Sequence, residues 1–282
     1  MNHTIAGINQ LKTVKLPNLE LISYVHGNGG QTSTPLLFVH GAWHGAWCWD
    51  VHFLPWFYKH GYNVYALSLR KHGNSNGSKP LWRTGIADYV RDVETVMAQL
   101  AAPPVVIGHS MGGFVVQKLL KKNKVPLAGA ILLAPMPNFG AWKIVLKLAR
   151  LYPLRFVMAN LTLSFYGFVN TPKLVKQLFF PENMPLNEVT VFAKQMQDES
   201  YRVMWEWLLQ LPPHRRIQKL PPMLVAGAGK DFIIPASNMQ KTARFYHTEA
   251  VILPHLAHDM MLDPNWLAAA SLLKEWLATH IT

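Results

Sequence analysis

Short, uninterrupted apolar runs recur along the chain at Pro35-Leu36-Leu37-Phe38-Val39, Pro103 to Ile107, Leu127 to Ala134 and Pro222 to Gly227. Runs of this length without alternation suit strands covered on both faces, as in a parallel sheet. Leu19 to Val25 alternates instead, and Asn63 to Leu69 and Ala250 to Leu253 complete the predicted strands. Between them the period changes. From Thr84, the spacing of Ile86, Tyr89, Val90, Val93, Val96, Met97 and Leu100 gives one apolar helical face. Cys48 to His60, the segment after Ser110, Pro235 to Tyr246 and Pro264 to Thr279 also read as helices. Strand alternating with helix implies parallel strands joined by crossovers, hence an α/β sheet with helices on both faces.

The rhythm breaks after Pro135-Met136-Pro137. Residues 138–216 carry helical, aromatic and basic segments such as Trp142 to Arg150, with no buried strand among them, and Met223 then resumes the sheet. This predicts a core of residues 1–137 and 217–282 with a helical cap inserted at 138–216. The insertion is rich in Leu, Phe, Trp, Tyr and Met, including Phe165 to Val169, Leu178 to Phe180 and Trp205 to Leu209, so a pocket roofed by it would favour an apolar acyl or alcohol group.

The run from Pro103 ends in Gly108-His109-Ser110-Met111-Gly112 and continues as Phe-Val-Val-Gln-Lys-Leu-Leu. Strand, sharp turn and helix in that order put Ser110 at the tip, where side chains at Gly108 and Gly112 would collide with the adjoining strand and helix. The turn also aims amides and a helix N-terminus at any negative charge forming beside the hydroxyl. A serine hydroxyl is a weak nucleophile and needs a base held by a buried carboxylate. Asp231 follows the strand ending at Gly227, and His258 follows the last strand, giving the order Ser, Asp, His. His255 competes for the role of base, and Asp259 and Asp263 compete for that of carboxylate; Asp259 adjoins His258 directly, which points its side chain elsewhere.

With these residues the chain resembles the α/β-hydrolase fold superfamily, in its esterase and lipase branch, from His40-Gly41 through the Ser110 turn to Gly229-Lys230-Asp231 and Ala257-His258-Asp259. The resemblance implies a mostly parallel central sheet with an inserted helical cap. It also implies Ser110 as nucleophile, His258 as general base and acid, Asp231 as its orienting carboxylate, and the amides of Ala42 and Met111 as oxyanion hole. Arg70-Lys71-His72-Gly73-Asn74-Ser75 is similar to a further recurrent loop, with Lys71 where that family has glycine. His40 and His109 read as structural hydrogen-bonders. The segment His40 to Trp49 also resembles plant methylesterases and hydroxynitrile lyases, which raises a carbon–carbon lyase as a second function. Those lyases carry a lysine directly after the catalytic histidine, and here that position is Asp259. A non-catalytic small-molecule binder on the same fold is a third; its usual sign, a lost triad member, is absent.

Composition narrows the partners. The net charge is +12, of which residues 138–216 carry +5, yet the basic residues are scattered and no nucleic-acid-binding motif organises them. Lys143, Lys147, Arg150 and Arg155 stand among apolar residues in a way that suits a lipid surface. The single cysteine, Cys48, permits no intramolecular disulfide and reads as buried. No run reaches the ~18 apolar residues of a membrane span, and Met1 to Gly7 lacks a secretory pattern, so a cytoplasmic protein is the expectation. No cofactor or metal is expected: His40 and His44 have no ligand cluster around them, and His26 to Gly30 lacks the Lys-Ser/Thr of a phosphate loop.

Overall fold

The computed structural model describes Leu16 and residues 18–27, 34–210 and 219–281. Asn28 to Gly30 of the predicted turn, the N-terminal Met1 to Gly7 and the C-terminal end of the predicted insertion lie outside the described residues.

The strands are β1 (Leu21–Tyr24), β2 (Leu36–Val39), β3 (Val64–Leu67), β4 (Val105–His109), β5 (Gly129–Leu133), β6 (Met223–Ala228) and β7 (Ala250–Leu253). They form one sheet in the order β1-β3-β2-β4-β5-β6-β7. β1 is antiparallel to β3 and every other pair is parallel, as the crossover pattern predicts. β2, β4, β5 and β6 are buried at every residue, which is why they read as continuous apolar runs. β1 buries alternate residues and is an edge strand, which is why it alternates.

Core helices cover the sheet: α1 (Trp47–Asp50), α2 (Phe53–Lys59), α3 (Ile86–Met97) and α4 (Met111–Lys122). The predicted helix over Cys48 to His60 is thus two helices, parted at Val51-His52. The break puts Pro55 in the first turn of α2, where a missing N–H costs no helical hydrogen bond. Phe38, Trp49, Phe53 and Phe57 pack edge-on or tilted against one another beneath them.

Among the described residues, five α-helices and one 3₁₀ turn (Tyr166–Phe168) run between β5 and β6, with no strand: α5 (Trp142–Leu151), α6 (Pro153–Thr162), α7 (Pro172–Phe179), α8 (Leu186–Ala193) and α9 (Tyr201–Leu208). Thr171 and Ser200 cap α7 and α9 through their hydroxyls. The chain closes with α10 (Ala236–Phe245) and α11 (Trp266–His280). No helix among the described residues is long and apolar enough to cross a membrane.

The loops that leave β2, β4, β6 and β7 all emerge at the same end of the sheet, since those strands are parallel. This carboxyl edge is where open α/β sheets gather their functional residues.

Candidate active site

The turn after β4 is held as a rigid tip. Ser110 has φ 51° and ψ −114°, outside the regions L-residues favour. Its amide donates to the Leu133 carbonyl at 2.9 Å and its carbonyl accepts from Met136 at 3.0 Å, so β5 and the segment after it keep the strained backbone in place. The glycines are required by close approach: a Cβ on Gly112 would lie 2.3 Å from the Val39 carbonyl oxygen, and one on Gly108 would lie 2.5 Å from that of Gly112.

Three predicted residues meet here. The Ser110 hydroxyl lies 3.0 Å from His258 Nε2, and His258 Nδ1 lies 2.7 Å from Asp231 Oδ2. The other Asp231 oxygen accepts from the Ile233 and Ile234 amides, each at 2.8 Å. Both side chains of the His258–Asp231 pair are 1% exposed. Burial alone would push the His258 imidazole down; the charge and hydrogen bond of Asp231, with the more distant Asp259, outweigh it and leave the ring above its ordinary value. The competing residues go elsewhere. His255 is exposed, and Asp263 accepts from the Ala257 and Asn265 amides ahead of α11.

Beside the hydroxyl, the turn after β2 is pinned peptide by peptide. The Leu69 amide donates to His40 Nε2, so His40 Nδ1 carries the proton and donates to the Gly41 carbonyl at 2.7 Å. Burial, followed by repulsion from His72, pushes this ring well down, consistent with a neutral imidazole. With the Gly41 carbonyl turned toward His40, the trans peptide turns the Ala42 N–H the other way. His44 bonds the Ala42 carbonyl through Nδ1 at 2.7 Å and Asp259 through Nε2 at 3.0 Å. Among the described residues, neither the Ala42 nor the Met111 amide has a protein acceptor, and both residues are buried. Two free N–H groups near a serine hydroxyl are what a developing oxyanion needs.

Trp43 completes the turn at φ 66°, an unusual conformation for a bulky residue. It is held from the insertion: the Gln197 amide donates to the Trp43 carbonyl at 3.0 Å, and Glu199 Oε2 accepts from the Trp43 amide at 3.4 Å. Glu199 is 1% exposed and also accepts from His72 Nε2 at 3.1 Å, Tyr89 Oη at 2.9 Å and the Ser200 amide at 2.6 Å. His72 Nδ1 faces the Arg70 carbonyl at 3.2 Å, so both its nitrogens donate. Burial opposes that charge, but Glu199 wins and His72 stands above its ordinary value. Nothing in the sequence singles out Glu199, one acid in a Gln-Asp-Glu-Ser stretch that reads as a polar loop. Lys71, in the loop that carries His72, has φ 67°, which explains why glycine suits that position in similar loops.

The nitrogen and oxygen atoms of His109, His258 and Asp259 come within 4.8 Å of one another. His258 has both nitrogens engaged, and His109 Nε2 bonds the His258 carbonyl at 2.9 Å. The His109 ring is pushed down to about 3 by burial and then by His258, so it is a neutral support behind the site. Cys48 is buried, and burial followed by the Asp259 charge pushes its thiol well up, away from nucleophile chemistry.

The sequence matches the family model described as "Alpha/beta hydrolase family" over residues 36–270. The chain belongs to the α/β-hydrolase family. Curated relatives of this α/β hydrolase include a pyrethroid hydrolase of Sphingobium wenxiniae, 29% identical over 102 residues, which are 36% of this chain and 36% of that protein. Methyl jasmonate esterase 1 of Vitis vinifera is 31% identical over 109 residues, 37% of this chain and 41% of that protein. The aligned stretch thus spans well under half the length of these curated relatives. Among solved structures, a Paleococcus ferrophilus monoacylglycerol lipase superposes with a TM-score of 0.67 at 19% identity, covering 93% of this chain and 99% of that one. A methylesterase from Arabidopsis superposes at 0.64 with 21% identity, covering 86% and 98%. At these identities the likeness is one of fold.

A narrow cavity of about 30 Å³ opens on Ser110 and His258 and is walled by apolar side chains including Ile144, Leu148, Leu178 and Trp207. A second, also about 30 Å³, lies beyond Trp43, Leu148, Phe168 and Met204, which line both, and reaches Phe156, Phe165 and Trp205.

Proposed function

We propose that this α/β hydrolase is a serine hydrolase of carboxylic esters, with Ser110 as nucleophile, His258 as general base and acid, and Asp231 as the carboxylate that orients it. The observation that carries this reading is the unbroken chain of contacts, 3.0 Å from Ser110 to His258 and 2.7 Å from His258 to Asp231, beside two unpartnered amides.

Neutral His258 takes the Ser110 proton as Oγ attacks the ester carbonyl. The imidazolium so formed faces Asp231, and the new oxyanion accepts from the Ala42 and Met111 amides, each worth ~3 kcal/mol in such a role. Collapse expels the alcohol, which takes the proton from His258. Water, deprotonated by the same ring, then attacks the acyl-enzyme and releases the acid. The α4 N-terminus, at Met111, adds a partial positive charge on the same side.

An apolar acyl or alcohol group fits the walls of both cavities, and in this reading the helices of residues 138–216 form the cap over it. Asp259 argues against the lyase alternative: its carboxylate is committed to His44 at 3.0 Å and puts a negative charge where cyanide would need a positive one.

A fluorophosphonate probe tests the assignment. The wild type should be labelled and Ser110→Ala should not, with ester turnover lost in the variant. Retained turnover in Ser110→Ala refutes the mechanism. A p-nitrophenyl ester series should favour medium acyl chains over acetyl; the reverse order removes the apolar-pocket part.

A further inference from the structure

The helical pair α5–α6 is apolar on two sides. Inward, Ile144, Val145 and Leu148 of α5 and Phe156 of α6 line the cavities. Outward, Trp142, Leu146, Leu151, Leu154, Val157, Met158 and Leu161 stand 39% to 74% exposed, with Leu154 at 74% and Leu161 at 73%. Single exposed apolar residues are ordinary, but half of the fourteen large exposed hydrophobic residues among the described residues fall within these twenty positions. A helix that is apolar all round lies in a core or against lipid.

The charge around this face identifies what covers it. Neither α5 nor α6 contains an Asp or Glu, and together they carry Lys143, Lys147, Arg150 and Arg155. Lys143, Lys147 and Arg150 lie on the outer face of α5 beside Trp142, Leu146 and Leu151, and Lys147 also reaches the Phe232 carbonyl. Their long apolar stems allow the charges to ride at the depth of phosphate groups while the leucines go deeper. A second copy of the same face would oppose cation to cation.

We infer that the outer face of α5–α6 docks on an anionic lipid bilayer, so that the two helices stand between a membrane and the Ser110 cavity. This deepens the ester-hydrolase reading by giving the site a lipid-borne ester as substrate class, and it rests on that reading for the word substrate alone. The orientation is economical in distance, because the side chains that would meet lipid and those that line the cavities belong to the same two helices.

The test is sedimentation of the full chain with vesicles of phosphatidylcholine, alone or with about 30% phosphatidylglycerol, a charge density that attracts basic faces. We expect binding to the anionic vesicles at least about tenfold above the neutral ones, and its loss in about 0.5 M salt. Leu154→Ser with Leu161→Ser, which removes the two most exposed side chains, should weaken binding about tenfold or more and leave hydrolysis of p-nitrophenyl acetate unchanged. Equal binding to both vesicle types, or an unaffected double variant, overturns the inference. So does a dimer in analytical ultracentrifugation that the double substitution dissolves, in a chain that ignores vesicles. Because sedimentation needs no turnover, a vesicle-binding chain with inert Ser110 fails the esterase reading alone, and an active esterase indifferent to vesicles fails this inference alone.

Discussion

Replacing Glu199 by Gln isolates the link between the helices that precede β6 and the turn after β2, which carries the proposed oxyanion amide of Ala42. The carboxylate accepts four hydrogen bonds, from Trp43, His72, Tyr89 and Ser200, with no donor to spare. An amide can keep the two that reach Oε1, but its NH₂ then faces the Trp43 amide, a donor, and the His72 ring, which must give up its Nε2 proton to accept from it. Removing one partner of a buried ion pair costs about 3–5 kcal/mol, and leaving a single donor unmade about 1–3 kcal/mol. We therefore expect Glu199→Gln to lose about 3 kcal/mol in urea unfolding. Trp43 at φ 66° has nothing else described on its amide, so the turn should relax and shift Ala42, the next amide back. Loss of one oxyanion donor lowers kcat by roughly 10²–10³-fold, and a displaced Ala42 amide should cost up to that much. In the proposed reading the apolar walls set KM, which should move little. The pH dependence has a definite sign. His72 is raised when folded, so its contribution is complete below the ordinary value of about 6.5 and is lost as pH rises through the folded value; the stability gap between wild type and variant should narrow in alkali. Circular dichroism should show a native fold for the variant. A folded Glu199→Gln within 1 kcal/mol of wild type (roughly a fivefold change in the folding constant) and within threefold in kcat would refute the reasoning.

Three further outcomes follow from the same geometry. Asp231→Asn should reduce kcat by roughly 10³–10⁴-fold, since the ring loses its orienting charge; a loss below tenfold would detach Asp231 from the site. In the wild type, kcat/KM should rise with pH along a limb whose midpoint lies above 6.5, because His258 must be neutral to act and its pKa is raised; a midpoint below 6.5 contradicts the assignment. Gly112→Ala should fail to give folded protein or lose more than about 3 kcal/mol, as its Cβ would press on the Val39 and His40 carbonyls, and a stable, active variant would show that the turn can open.

Much of this architecture was readable from local pattern. Strands buried on both faces, such as Leu36–Val39 and Val105–His109, announce themselves because every side chain must be apolar, and the Ser110 turn because only glycine fits at Gly108 and Gly112. Asp231 and His258 could be found because strand order places them after β6 and β7. What escaped was contact between distant segments. Glu199 and His72 are 127 residues apart, as His44 and Asp259 are 215 apart, and no period or motif couples them. The helix break at Val51-His52 also escaped, since the apolar spacing runs on through it and only Pro55 objected.

The insertion is fastened unevenly. Its later half is tied to the core by the Phe179 carbonyl on the Asp259 amide, by Gln197 and Glu199 on Trp43, by Ser200 on the Thr84 carbonyl and by Glu206 on the Ile86 amide. The α5–α6 pair, among the described residues, holds the core through Lys147 on Phe232 as its one such polar tie. The walls of both cavities draw on this less tied pair through Val145 and Leu148. Of the two halves α5–α6 has fewer polar ties to break, so we expect its amides to exchange hydrogen for deuterium faster than those of α7–α9, with Trp43 and the turn after β2 still held by the later half.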